Sequence, residues 1–177
     1  PAPASAARPA SLAAHALGFC LERARGIAAR LLQQRERHWS IALRRGSGPF
    51  TTIPDDRHRY YGDPFLLAWQ GRTFLFVEEL PYATGKGVIS AVEIVDGRPD
   101  GSFEPVLDRP YHLSYPFVFV DGDSIYMLPE ATGSGRVELY RATDFPRGWQ
   151  LERVLIENQA LADATPVYHR GRWWLFG

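Results

Sequence analysis

The stretch DPFLLAWQGRTFLF, residues 63–76, has an echo a hundred positions later in DATPVYHRGRWWLF, residues 163–176. Each opens on an aspartate, runs through apolar residues to a Gly-Arg step and continues in an aromatic run. A chain that repeats a pattern folds it into repeated supersecondary units, and such units bury their apolar faces only by stacking on one another. The first unit reads DPFLLAWQG, RTFLFVEEL, GVISAVEIVDG and FEPVLDRPYHL, and the second YPFVFVDG, DSIYMLPEA, GRVELYRATD and WQLERVLIEN. The third begins DATPVYHRG, RWWLF. Starts at 63, 115 and 163 set a period of about 50 residues. Short apolar or alternating runs punctuated by Gly, Asp and Pro are strands, and four of them per unit predict propeller blades. The expected fold class for 38–177 is therefore all-β, a partial β-propeller of about two and a half blades.

Ahead of the repeat, PAPASAARPA (1–10) has the Pro/Ala-rich composition of a flexible linker. Over 11–37, Ser11 stands in a capping position and Leu17, Leu21, Ala24, Ala28 and Leu31 recur at three- and four-residue spacing. That pattern predicts an amphipathic helix, with Arg23, Arg25, Arg30, Arg35 and Arg37 mostly off the apolar stripe. Packing on a neighbouring domain is the first expectation for such a helix, and a place on an anionic membrane surface the second.

Charge and composition close off several classes. Residues 1–45 carry eight Arg and two Glu, a local charge of +6; a formal net charge of zero leaves −6 on residues 46–177. Without a global basic field, no nucleic-acid partner is expected. The one cysteine, Cys20, rules out an internal disulfide framework, and histidines 15, 38, 58, 112 and 169 are scattered rather than spaced as ligands. No metal and no cofactor are expected. No run reaches the ~20 apolar residues of a membrane span, and no signal-peptide pattern is present. A cytoplasmic location is accordingly expected rather than a secreted one, the compartment itself staying open. A chain that starts on proline and stops inside a repeat is expected to be cut at both ends.

The repeat also gathers acids. If DPFLLAWQG descends from one mouth of the propeller, RTFLFVEEL climbs back to it, so Glu78 and Glu79 end near Asp63. The same logic brings Glu130 to the mouth from the second unit and Asp163 from the third. Acids converging on one concave mouth form a candidate site. Against that stands a structural role: Asp before Pro at a strand start commonly accepts local backbone N–H bonds, and a repeated device suits a clasp between blades. Tyr60, Tyr61, Tyr82, Tyr111 and Tyr115 flank strand starts or tops, where rings stack on sugar faces, whereas Trp69, Trp173 and Trp174 sit inside strands and are expected in the core. The ligand-binding candidates are Glu79, Glu130, Tyr61, Tyr82, Tyr115 and His112. The matching glycine-rich stretches ATGKGV (83–88) and ATGSGRV (131–137) precede strands rather than helices, so they are hairpins and not phosphate loops.

The strings YGDPFLLAWQGRTFLFVEELPYATGKGVISAVEI, RPYHLSYPFVF and YMLPEATGSGRVELYRATDFPRGWQLERVL resemble the N-terminal domain of glucosamine inositolphosphorylceramide transferases. The resemblance covers about residues 38–177. More broadly, the DPF start with an aromatic second strand is similar to the five-bladed propellers of arabinanase- and fructosidase-type glycoside hydrolases. The first resemblance implies an accessory module of a glycolipid-modifying protein whose transferase chemistry sits in another domain. The second implies Asp63 as general base and Asp163 as modulator of the acid's pKa, with the general-acid glutamate beyond Gly177. Ser114-Tyr115-Pro116 departs from that pattern, since Tyr115 stands where an acid-Pro pair belongs.

Three functions stay open on this reading. The chain is a module that holds a carbohydrate or glycolipid headgroup by carboxylate–hydroxyl bonds and aromatic stacking. Alternatively it belongs to an inverting glycosidase, which needs two carboxyls roughly 6.5–9.5 Å apart. In the third reading it is a scaffold whose acids only tie blades together.

Overall fold

Two-residue turns set the topology. In a computed structural model that describes residues 38–177, Gln70-Gly71 and Arg170-Gly171 are the turns that lead into the Gly-Arg steps of the repeat, and both residues of each turn have positive φ, 49° and 77°, then 50° and 78°. Glycine in the second place accepts that conformation without a Cβ penalty, and the turn's twist matches its flanking strands. Trp69 therefore faces Arg72, and His169 faces Arg172, across tight hairpins. The predicted linker (1–10) and helix (11–37) lie outside the described residues.

Trp39–Gly177 forms one compact unit. It opens with a small antiparallel pair, β1 (Ala42–Leu43) and β2 (Thr51–Thr52). The first large sheet contains β3 (Arg59–Trp69), β4 (Arg72–Pro81), β5 (Val88–Val95), β6 (Arg98–Pro99) and β7 (Glu104–Leu107). Its order is β3-β4-β5-β6, with β7 also paired to β5. The second is a four-stranded meander of β8 (Ser114–Asp121), β9 (Ser124–Glu130), β10 (Arg136–Asp144) and β11 (Arg147–Glu157). A last hairpin joins β12 (Thr165–His169) to β13 (Arg172–Phe176). Thr132–Ser134 makes a single 3-10 turn. The protein is all-β over its described residues, built of several antiparallel sheets, as the strand pattern predicts.

Strand alternation explains how the sheets stack. Along β4, Phe74 and Phe76 point one way and Leu75 and Val77 the other, and all four are buried. Phe74 and Phe76 join Ile89 and Leu107 against Leu113, Val118, Met127, Tyr140 and Trp149 of the second sheet and its approach. Leu75 and Val77 pack with Val92 under Ile41 and Ile53. The far face of the second sheet repeats the arrangement: Leu128 and Val137 are buried with Ala164, flanked by Leu161 and Leu175. A sheet covered on both faces needs apolar residues at successive positions, which is why β4 reads as a continuous run rather than an alternating one.

One packing expectation is corrected. Trp69 is packed against the first cluster, but Trp173 and Trp174 are 44% and 52% exposed. They lie on a two-stranded sheet, where Trp173 leans on Phe119 and Tyr168 with ring centroids at 5.0 and 5.3 Å.

Candidate functional site at the bulged ends of the sheets

The three unit starts share one backbone conformation. Asp63, Tyr115 and Asp163 have φ of 46°, 44° and 50°. In β3 the register jumps between Gly62 and Phe65, and in β8 between Ser114 and Phe117, so Asp63-Pro64 and Tyr115-Pro116 are equivalent bulges. Left-handed backbone costs an L-residue about 1–2 kcal/mol; aspartate adopts it more readily than tyrosine. Contacts hold Tyr115 there. Its N–H donates to Asp63 Oδ2 at 3.0 Å, its hydroxyl lies 2.9 Å from Thr165 Oγ1, and its ring meets Phe65 edge-on at 5.0 Å.

The next unit is held by a carboxylate from a different strand. Tyr115 offers no acid, and the Asp163 N–H donates instead to Glu130 Oε2 at 3.0 Å. The second and third unit starts thus each have their strained amide capped by an acid of the preceding sheet.

Glu78 and His112 complete the group. Glu78, on the Phe74–Phe76 face of β4, is 6% exposed and accepts at Oε1 from the Tyr60 hydroxyl at 3.1 Å and from His112 Nε2 at 3.0 Å. His112 Nδ1 accepts the Gly87 N–H at 3.0 Å, so both ring nitrogens are occupied and the neutral ring is the Nε2–H tautomer. Gly87 is required for that approach, since a Cβ there would lie 2.4 Å from the Leu113 carbonyl and 2.8 Å from the imidazole.

These groups feel one another's charge. Burial raises the Asp63 pKa most, opposed by the Tyr115 N–H, and the charges of Glu78 and Asp163 raise it further. The hydrogen bond to Glu78 raises the His112 pKa against burial, with Glu130 and Asp63 adding to the rise. Asp63, Glu78 and Glu130 therefore converge around His112 at one end of the sheets, with Asp163 beside Asp63 and Glu130. The arrangement is rich in acceptors for hydroxyl or ammonium donors, with the Tyr60 ring beside Tyr82 at 6.4 Å.

Other candidates fall elsewhere. Glu79 is 2% exposed on the Leu75–Val77 face, where it pairs with Arg59 and accepts from Ser90 Oγ at 2.6 Å. Alternation turns adjacent acids to opposite faces, so the rim position belongs to Glu78 and not Glu79. Tyr61 shares the Glu79 side, its ring 4.4 Å from Phe103 and its pKa pushed up to about 12 chiefly by burial. The second sheet buries its own acid, Glu138, under the Tyr111 hydroxyl at 2.7 Å and that of Tyr140. Lys86 is held by Asp108 and the Arg109 carbonyl. The sequence reading placed Glu78 near the mouth but nominated Glu79; the offset of 52 that aligns Asp63 with Tyr115 also aligns Glu78 with Glu130, and that signal identifies the residue.

Among the described residues no group of three or more His, Cys, Asp or Glu is arranged to hold a metal ion. Two cavities have none of the rim carboxylates in their lining. One of ≈ 690 Å³ is lined by Leu43, Ile53, Asp55, Tyr61 and Phe103, and one of ≈ 520 Å³ by Phe119, Tyr126, Leu139, Trp173 and Trp174.

Fold and rim together define a class: an all-β module of stacked antiparallel sheets whose bulged strand ends collect carboxylates. Residues 54–177 match the family model described as "Glucosamine inositolphosphorylceramide transferase 1, N-terminal", and the chain belongs to that family. The Arabidopsis thaliana protein called glucosamine inositolphosphorylceramide transferase 1 is 40% identical over 121 residues, covering 67% of this chain and 15% of that protein. Its namesake in Oryza sativa subsp. indica is 42% identical over 118 residues, covering 66% of this chain and 16% of that protein. The matched stretch is thus a small part of those relatives. No solved structure matches the chain significantly.

Proposed function

We propose that the chain is a carbohydrate-recognising module of a glycolipid-modifying protein, its sheets being successive blades of a β-propeller and its rim the ligand site. The observation that carries this is the convergence of Asp63, Glu78 and Glu130 around His112, with Asp163 of the third repeat unit beside Asp63 and Glu130. Equivalent bulges and face-to-face packing of consecutive meanders support the propeller architecture. The relatives' name, a transferase acting on an inositolphosphorylceramide, makes a sugar-bearing headgroup the first ligand to test. Carboxylates recognise sugars by accepting hydroxyl protons, and tyrosine rings add stacking area.

The test uses the full 177-residue chain and calorimetric titration with inositol, glucosamine, glucose and a soluble inositolphosphoryl glycoside. Saturable binding of at least one of them, weakened about tenfold or more by Asp63→Asn, is the expected result. Asparagine keeps an acceptor for the Tyr115 amide, so a loss of binding is not a loss of fold. Binding by none of them, or binding indifferent to Asp63→Asn, removes the proposal.

A second reading has its own observation. Asp63 capping Tyr115 and Glu130 capping Asp163 are clasps between consecutive units, and a pure scaffold needs nothing more. It predicts that Asp63→Ala and Glu130→Ala, which remove the acceptors, lower the melting temperature and change no ligand affinity.

A further inference from the structure

We propose that His112 is an acid-sensitive latch on the hairpin formed by residues 82–87, closed when the imidazole is neutral and opened by a proton at Nδ1. The geometry fixes where that proton goes. Nε2 already carries the hydrogen that points to Glu78 Oε1 at 3.0 Å, so the second proton goes to Nδ1, the atom that accepts the Gly87 N–H at 3.0 Å. An imidazolium has two donors and no acceptor. The Gly87 amide would then face another donor, and the contact turns repulsive.

Gly87 has little room to find another acceptor while the hairpin stays seated. Its α-carbon is already so close to residues 112 and 113 that an added Cβ would stand 2.4 Å from the Leu113 carbonyl oxygen. Once the latch opens, the hairpin keeps the Leu113 N–H bond to the Gly87 carbonyl at 3.0 Å and the Lys86 contacts with Asp108 and the Arg109 carbonyl. These give a loosened hairpin rather than an unfolded sheet.

The surrounding charges oppose one another across the ring. Glu78 from β4, Asp63 from β3 and Glu130 from β9 all favour the imidazolium, Glu78 most, while burial and the Gly87 amide disfavour it. The Tyr60 hydroxyl shares Glu78 Oε1, and the Lys86 ammonium beside Gly87 is engaged by Asp108. Glu78 thus arms the latch and Gly87 is what it releases.

The test is nitrogen-15 NMR and amide hydrogen exchange on the full 177-residue chain between pH 8 and pH 5. At pH 8, Nδ1 of His112 is expected to resonate as an unprotonated acceptor and Nε2 as protonated. Through the His112 titration the Gly87 protection factor, corrected for intrinsic exchange, falls about tenfold, the loss of one hydrogen bond, while amides inside β4 and β9 keep theirs. Glu78→Gln moves the midpoint to lower pH. A flat Gly87 protection factor through the titration, a ring that stays neutral to pH 5, a proton on Nδ1 at pH 8, or a midpoint that Glu78→Gln leaves in place each overturns the latch.

Discussion

The Tyr115 backbone N–H donates to Asp63 Oδ2 at 3.0 Å across 52 residues of sequence, joining the starts of two consecutive repeat units. The bond is partly buried and caps an amide in left-handed backbone, so it serves the fold whatever ligand the rim accepts.

That bond separates two substitutions at Asp63. Asp63→Ala leaves a partly buried N–H unpaired and is expected to cost about 1–3 kcal/mol in chemical denaturation. Asp63→Asn keeps the acceptor and removes a charge that the protein disfavours. Because burial, then Glu78 and Asp163, raise the folded pKa above its ordinary 3.8, Asp63 contributes stability that is present below pH 3.8 and lost as pH rises through the folded value. Asp63→Asn should therefore be more stable than the parent at pH 7, with the difference closing as pH falls toward 3.8. A variant less stable than the parent at pH 7 would contradict this.

Gly87→Ala tests the close approach under His112. A methyl group there meets backbone at 2.4 Å rather than a yielding side chain, and overpacking of this kind costs about 1–3 kcal/mol. Gly122→Ala is the control: nothing lies within 4 Å of its Cβ, so only the left-handed φ is penalised, by about 1 kcal/mol. Melting curves of the two variants should separate; equal losses would mean that the contact at Gly87 is not tight.

The all-β class and its antiparallel hairpins were legible in the sequence because hairpins and strand alternation are local rules. The Gly-Arg steps marked tight turns, and the 63, 115 and 163 starts marked units whose backbone proved alike at Asp63, Tyr115 and Asp163. What the hydrophobic pattern could not resolve is which of Glu78 and Glu79 faces the rim. Both faces of β4 are buried, so hydrophobicity gives no inside or outside to orient the pair; only register does. The acceptor of the Asp163 amide was equally hidden, because it comes from Glu130 rather than from the repeat-equivalent Tyr115.

Glu79→Gln and Glu78→Gln should therefore differ in kind. Glu79 is closed in by Arg59 and Ser90, and its neutralisation leaves the guanidinium with Asp56 at 3.0 Å as remaining partner. A stability loss of about 2 kcal/mol is expected with no change in ligand affinity. Glu78→Gln is expected to weaken ligand binding. The assignment of faces fails if Glu79→Gln is the one that alters affinity.

Glu130→Ala measures how much of the inter-unit contact is structural where the acid has moved to another strand. The Asp163 amide that Glu130 caps lies in an exposed setting, so water replaces the lost carboxylate and the cost is held to about 0.5–1 kcal/mol. The Tyr115 amide under Asp63 is partly buried and has no such substitute, which sets the order: Asp63→Ala should destabilise more than Glu130→Ala in the same denaturation assay. If Glu130→Ala proves the costlier of the two, the second interface relies on its carboxylate more than its exposure allows, and the rim there is a clasp before it is a ligand site.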